Sequence, residues 1–336
     1  MSKSWREYAM SDLTEDRQVL VNLEINKDCQ LTSVCGDSCF LNLVEKALPG
    51  VERLAPAAVL AAAREVIDHG QTVRHLAITG KEPLDTPDLL FDILRYYHAA
   101  PVESRPGTVG IITSGLQLRR HAHRFPELPL DWCAMSLDIA SSVLHVERMN
   151  EKLFGDLLHV KDTGGIKSFT VNSVYTADNY KDVLQFGKWL TAKLGEGDQW
   201  GLSSLMLPQH GVMQPTVSIP ATREMIDLAL EELSDTACDI LFEPDPDEFE
   251  ILTGKSVKKR WRTELHLAGG IWMITVPSEE GYFVRLRWDG QLLTRKDLRC
   301  IGLRQATYGA YQAGRLVETL ERLSVTRSLD QQPTQH

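Results

Sequence analysis

Apolar residues along this chain follow two alternating periods, one of strand length and one helical, and the pair recurs. The run Val19 to Ile25 has the length of a buried strand and opens into a loop. Leu41 to Leu48 and Pro56 to His69 then read as helices, the second opening on its proline and bounded by Gly70. His75 to Gly80 is the next short apolar run, and Pro87 to Ala99 carries Leu89, Leu90, Ile93 and Leu94 at helical spacing. Four further pairs follow: Thr108 to Thr113 with Leu116 to Phe125, Trp132 to Leu137 with Leu153 to Asp162, Phe169 to Tyr175 with Tyr180 to Leu194, and Leu202 to Leu207 with Ala221 to Leu233. About six strand and helix pairs without consecutive strands predict an α/β fold whose parallel sheet is closed or partly closed into a barrel.

From Cys238 the pattern changes. Ile240 to Phe242 leads into an acidic segment, Glu243 to Glu250, and Lys255 to Arg262 is basic; both read as solvated loop and helix faces, with metal binding or peptide docking as the alternative. Gly270 to Val276 and Tyr282 to Trp288 read as two strands around Glu279-Glu280-Gly281, with a tight turn at Asp289-Gly290, which predicts a small ribbon attached to the barrel. Gly309 to Leu323 is the expected closing helix. Residues 1–236 are therefore expected to form the barrel, 237–327 a ribbon and helix extension, and 328–336 a mobile polar tail.

In a parallel barrel the reactive groups lie at the C-terminal ends of the strands. That rule selects Cys29 to Cys39, Gly80 to Pro83, Thr113 to Gly115, Ser136 to Asp138, Asn172 to Tyr175 and Leu207 to His210. Taken singly, Ser, Asp, Asn and Gly at such places also cap helices and turn the chain.

Composition narrows the class. The 336 residues carry a net charge of −10 with mixed signs, against the basic face of a nucleic-acid-coating protein. No signal peptide is expected in Met1 to Tyr8, and no run reaches the length of a membrane span, so a soluble, cytoplasmic protein is expected. In a reducing compartment six cysteines are thiols or metal ligands more often than disulfides.

Three of those six fall in Cys29-Gln-Leu-Thr-Ser-Val-Cys35-Gly-Asp-Ser-Cys39, directly after the first strand. Three thiolates suit an iron–sulfur cluster and leave one iron of a four-iron cluster open. Zinc completed by Asp28 or Asp37, and cysteines that bind nothing, are the competing readings.

Further residues resemble the radical S-adenosylmethionine (radical SAM) superfamily, in register over Leu20 to Leu233. Ile78-Thr-Gly80-Lys-Glu82-Pro83-Leu84 is similar to that family's Gly-Gly-Glu-Pro segment, Ile112-Thr-Ser114-Gly115-Leu to its Thr-Asn-Gly strand end, Met135-Ser136-Leu-Asp138 to its Ser-Leu-Asp, and Val171-Asn172 to Asn179 to its fifth strand and the asparagine that opens the next helix. The resemblance implies a partial (β/α)6 TIM-like barrel and a [4Fe–4S] cluster on Cys29, Cys35 and Cys39. It also implies S-adenosylmethionine (SAM) as cofactor, reductively cleaved to a 5′-deoxyadenosyl radical that abstracts hydrogen from a substrate. Gly80, Glu82 and Pro83 would then position the SAM amino group, and Ser114, Ser136, Asp138 and Asn172 its ribose or carboxylate. An external one-electron reductant of flavodoxin or ferredoxin type and a small-molecule substrate are the partners it implies, with neither nucleic acid nor membrane.

Departures from the family pattern are specific. The cysteines are spaced Cys-x5-Cys-x3-Cys rather than Cys-x3-Cys-x2-Cys, Ser38 stands where an aromatic residue usually precedes the third cysteine, and Lys81 replaces the second glycine. The stretch Val284 to Gly302 faintly resembles the SPASM ribbon of peptide-modifying relatives but holds only Cys300, so no auxiliary cluster is expected. A small biosynthetic metabolite of amino acid, sugar or nucleoside type is the expected substrate; a peptide substrate, or a degenerate scaffold that only binds SAM or a cluster, is the alternative. No catalytic residue is assigned, because Cys133, Cys238, Cys300 and Tyr308 read as packed core residues before hydrogen donors.

Overall fold

A computed structural model describes residues 19–36, 39–47, 51–140, 150–209, 212–257, 263–275, 283–294 and 307–330. Strands β1 (Val19–Glu24), β2 (Val73–Thr79), β3 (Thr108–Thr113), β4 (Leu130–Ser136), β5 (Ile166–Tyr175) and β6 (Gln199–Ser204) lie side by side in chain order, each parallel to the next. Helices at Pro56–Asp68, Pro87–Ala99, Asn150–Asp162, Tyr180–Thr191 and Ile219–Leu233 return the chain between strands or beyond the last of them. The (β/α)6 arrangement expected from the sequence is present.

Alternation within each strand separates two environments. Val19, Val21 and Leu23 of β1 are fully buried, as are Leu76 and Ile78 of β2 and Val109 and Ile111 of β3, all in one core beneath the helices. Each such side chain removed from water contributes on the order of 2 kcal/mol, which favours this layer over any register shifted by one residue. The opposite face runs through Asn22, Ala77, Gly110 and Trp132 by register and points toward the barrel interior, with the Trp132 ring lying over Gly110.

Beyond β6 the sheet continues through β9 (Asp239–Phe242) and β11 (Ile271–Thr275), both parallel to it, and ends on β10 (Thr263–Ala268), antiparallel to β11. A separate hairpin, β7 (Met206–Gln209) with β8 (Val212–Pro215), rises from the end of β6. At the other edge β12 (Phe283–Leu286) pairs parallel with β1 and is followed by antiparallel β13 (Gln291–Leu293) and β14 (Gly309–Ala310).

This placement corrects the expected ribbon. Gly270 to Val276 and Tyr282 to Trp288 do not pair with each other, because β11 and β12 run in the same direction at opposite ends of the sheet order. Eight chain steps join Thr275 to Phe283, spanning at most about 29 Å. A flat sheet would separate β11 from β12 by eight strand spacings, roughly 38 Å. The sheet must therefore curl, bringing its two edges together. The turn at Asp289-Gly290 does form, with Gly290 at φ +85° and its N–H donating to Arg287 at 2.8 Å.

Other boundaries moved for local reasons. Within the acidic segment read as a solvated loop and helix face, Pro246–Thr253 is a helix whose N-terminus is closed by a capping box between Asp245 and Glu248. The closing helix spans Arg315–Asp330, starting after Gly314, and so takes in the first residues assigned to the mobile tail. Cys300, His210 and Glu279 to Gly281 lie outside the described residues. Among the described residues no helix is long and apolar enough to cross a membrane.

Candidate functional site

The cysteine loop leaves the C-terminal end of β1 beside the end of β2. Ile25 N–H donates to the Thr79 carbonyl at 3.0 Å, extending the strand pairing by one residue. The Cys29 carbonyl accepts the Thr32 N–H at 3.1 Å, and its sulfur accepts the Leu31 N–H at 3.4 Å. Thr32–Cys35 is one helical turn ended by Gly36 at φ +49°, and the Cys39 carbonyl accepts the Leu43 N–H at 3.2 Å at the head of the helix Phe40–Ala47. Cys29, Cys35 and Cys39 are thiols, half-buried, and line one cleft of about 190 Å³ together with Gly80, Lys81, Ile112, Ser114 and Ser136.

Does this donor set fit a cluster? Among the described residues no three His, Cys, Asp or Glu side chains converge closely enough to hold a single ion. Zinc, about 2.3 Å from each sulfur, needs its thiolates within roughly 4 Å of one another. A four-iron cluster bonds each thiolate to a different iron, so it needs three sulfurs around a wider space, and three thiols around one cleft meet that need. Burial pushes the Cys29 thiol up to about 11, partly offset by the Leu31 N–H. A bound cation reverses that balance, because the thiolate is the ligand.

Gly80 follows β2 at φ +132°, a conformation side chains rarely adopt, and a Cβ there would come within 2.5 Å of Asn26 Oδ1 and 2.7 Å of the Asn26 carbonyl. The Asn26 amide donates to the Glu82 carbonyl at 2.6 Å and to Thr86 Oγ1 at 3.1 Å. Glycine here lets the ends of β1 and β2 meet backbone to backbone.

Glu82 is 1% exposed, and its carboxylate faces the end of β3. One oxygen accepts Thr113 Oγ1 at 2.7 Å and the Leu84 N–H at 3.1 Å; the other accepts the Ser114 N–H at 2.7 Å and the Ser114 hydroxyl. An ionised carboxylate has about four acceptor positions, and here all four face donors of the chain. Burial raises its pKa, and the same hydrogen bonds oppose that rise without cancelling it. Glu82 thus joins the ends of β1, β2 and β3, a role that the expected contact with the SAM amino group did not include. Pro83, also buried, opens the short turn Pro83–Asp85.

Ser136 ends β4 and lines the cleft; Asn172 is its register partner on β5. Asn172 Oδ1 packs over Gly201, where a Cβ would come within 2.5 Å. Asp138 is buried and accepts the Val174 N–H at 3.0 Å, tying the chain beyond β4 to β5. The structure therefore gathers Cys29, Cys35, Cys39, Gly80, Ser114 and Ser136 around one opening. Asn172 is next to Ser136 on the inner face, and Glu82, Pro83 and Asp138 are buried.

Several residues of this rim were given no role of their own in the sequence reading. Asn26 has no motif around it, only its place as a polar residue just past an apolar strand. Gln30 is bonded twice to Asp85, through its N–H at 3.2 Å and its amide at 3.0 Å, which fixes the loop beside Cys29. Ile112, 37% exposed, is an apolar side chain on the inner face whose signal was the strand alternation itself.

No protein-family model matches the chain, and no curated protein matches it in sequence. Solved structures match its fold. SuiB of Streptococcus suis bound to S-adenosylmethionine aligns at a TM-score of 0.56 and 13% identity over 90% of this chain, which spans 63% of the length of SuiB. Native anSMEcpe with bound AdoMet aligns at 0.56 and 14% identity, covering 91% of this chain and 82% of that one. Native anSMEcpe with bound AdoMet and the Cp18Cys peptide aligns at 0.54 and 13% identity, covering 91% and 81%. At these identities the likeness is one of fold alone, the partly closed α/β barrel expected from the strand and helix pairs.

Proposed function

We propose that this chain is a radical SAM enzyme that holds a [4Fe–4S] cluster on Cys29, Cys35 and Cys39 and binds SAM against its open iron. The observation that carries the reading is the meeting of the three thiols with Gly80, Ser114 and Ser136, from three other strand ends, around one cleft. Reduced by an external one-electron carrier of flavodoxin or ferredoxin type, such a cluster would supply the electron that cleaves SAM to methionine and a 5′-deoxyadenosyl radical able to take hydrogen from substrate.

The chain's own part is placement and exclusion of water. Backbone at Gly80 to Glu82, fixed from both sides by Asn26 and Ser114, presents polar groups to the SAM amino group, with Pro83 rigidifying the turn behind it. The Ser136 hydroxyl and the Asn172 amide are side by side on the inner face for the ribose or carboxylate. Ile112 offers the apolar wall that an adenine ring packs on. Asp138 holds the chain beyond β4 to β5, next to Ser136 and Asn172, by accepting the Val174 N–H.

A small metabolite of amino acid, sugar or nucleoside type is the substrate we favour from the absence of auxiliary-cluster cysteines in the C-terminal sequence. A peptide substrate is the second reading, and the peptide bound in the anSMEcpe structure favours it. Anaerobic reconstitution followed by reaction with SAM and a strong reductant tests the core of the proposal. About four irons per chain and formation of 5′-deoxyadenosine are expected. Iron near zero with stoichiometric zinc would refute it. Acceleration of 5′-deoxyadenosine release by peptides but not by small metabolites would decide for the second substrate class.

A further inference from the structure

Lys81 stands where the resembled motif has its second glycine, and the fold supplies a partner for it. The Lys81 side chain is 3% exposed, and its ammonium pairs with Glu45 Oε2. Glu45 is on the helix Phe40–Ala47, whose first turn is hydrogen-bonded to Cys39. Lys27, from the other limb of the loop, places a second ammonium 3.8 Å from Glu45 Oε1.

Each limb of the cysteine loop is tied to a fixed part of the fold by side chains. Gln30 bonded to Asp85 holds the Cys29 limb against the turn after β2. The Asn42 amide donates to the Gly36 carbonyl at 2.7 Å and to the Thr32 carbonyl at 3.2 Å, which holds the Cys35 turn to the same helix. The helix itself reaches the rim of β2 through Glu45 and Lys81.

We infer that Lys81 and Glu45 are a positioning pair that fixes the Cys39 limb of the loop, and so sets how firmly the third cluster ligand is held; this rests on the proposed cluster at the three cysteines. The argument is electrostatic. An ammonium withdrawn from water in a cleft is costly unless a carboxylate meets it, so Lys81 and Glu45 hold each other in place across two elements that share no strand pairing. Glycine at this position could make no such link. Cys35 and Cys39 are one residue further apart than in the resembled motif, and the pair anchors the helix that follows Cys39.

The test uses the full chain reconstituted anaerobically, with iron release to a ferrous chelator as the readout. Lys81→Met and Glu45→Gln should each release iron roughly tenfold faster than wild type, the scale found for groups that orient metal ligands. The double variant should release it no faster than either single one. Lys81→Arg, which keeps the charge and the pairing with Glu45, should release iron at close to the wild-type rate, which a variant that merely folds poorly would not do. Wild-type rates in both single variants, or effects that multiply in the double variant, would overturn the pairing while leaving the cluster reading intact. A wild-type chain that takes up no iron overturns the cluster reading and this inference with it.

Discussion

The Ser114 N–H donates to Glu82 Oε2 at 2.7 Å, joining the first residue past β3 to a buried carboxylate three residues past β2. The Ser114 hydroxyl reaches the same oxygen and Thr113 the other, so one side chain closes the seam between two strand ends at the wall of the cleft. Glu82→Gln puts an amide N–H₂ where donors already point. With one acceptor oxygen left for four donors, the variant should lose about 1–3 kcal/mol of stability. Urea unfolding measures this directly, and an unchanged midpoint would mean that the carboxylate is not engaged as described.

Gly80 tests the contact between the first two strand ends. Its φ of +132° and the approach to Asn26 leave no room for a methyl group. Gly80→Ala should cost about 1–3 kcal/mol from backbone strain, and more if Asn26 is pushed off the Glu82 carbonyl. Because Asn26 leads into the cysteine loop, this variant should also take up less iron on reconstitution. Gly155→Ala, at a helical position with open space around the added carbon, is the matched control and should behave as wild type.

These relationships show which parts of the molecule a sequence can reveal. The six strand and helix pairs were legible because burial imposes periodicity: Val19, Val21 and Leu23 face the helices, and any one-residue slip would expose them. Pro87–Ala99 and Thr108–Thr113 fell within their expected bounds for that reason. The edges were not legible. β11 and β12 have the local pattern of a hairpin, and only their parallel pairing with β9 and β1 keeps them apart. In the site, motif positions such as Ser114 and Ser136 were found by their place at strand ends. The role of Glu82 was not, because a carboxylate that holds a neighbouring strand and one that holds a ligand have the same sequence.

The cysteines make a direct prediction. Changing Cys29, Cys35 or Cys39 to alanine should abolish the broad visible absorption of the reconstituted protein, since each supplies one thiolate of three. Cys133→Ala should retain it: Cys133 is fully buried on the helix-facing side of β4 and is pushed well above the usual thiol range by burial, so it is a poor thiolate and is away from the cleft. Loss of absorption in Cys133→Ala with retention in Cys35→Ala would reassign the ligands.

The last prediction concerns the seam that the chain closes late. Arg285 of β12 and Glu24 of β1 form an ion pair at 2.6 Å, with the Glu24 side chain 1% exposed and that of Arg285 13% exposed. The second Glu24 oxygen accepts the Trp288 N–H at 3.1 Å, so Glu24 binds both the strand β12 and the turn after it. Removing one partner leaves the other charge without its counter-ion in a site closed to water, and a loss of about 3–5 kcal/mol is expected for Arg285→Met. Replacing both, as Glu24→Gln with Arg285→Met, removes the stranded charge and should recover part of that loss. The recovery is what separates an ion pair from simple packing. If the two single losses added in the double variant, Arg285 would be acting through its stem on the barrel wall and not through Glu24. If the pair acts as described, the β12 amides should exchange hydrogen faster in Arg285→Met than in wild type, because β12 would be held to β1 by strand pairing and the Trp288 bond to Glu24 without the ion pair.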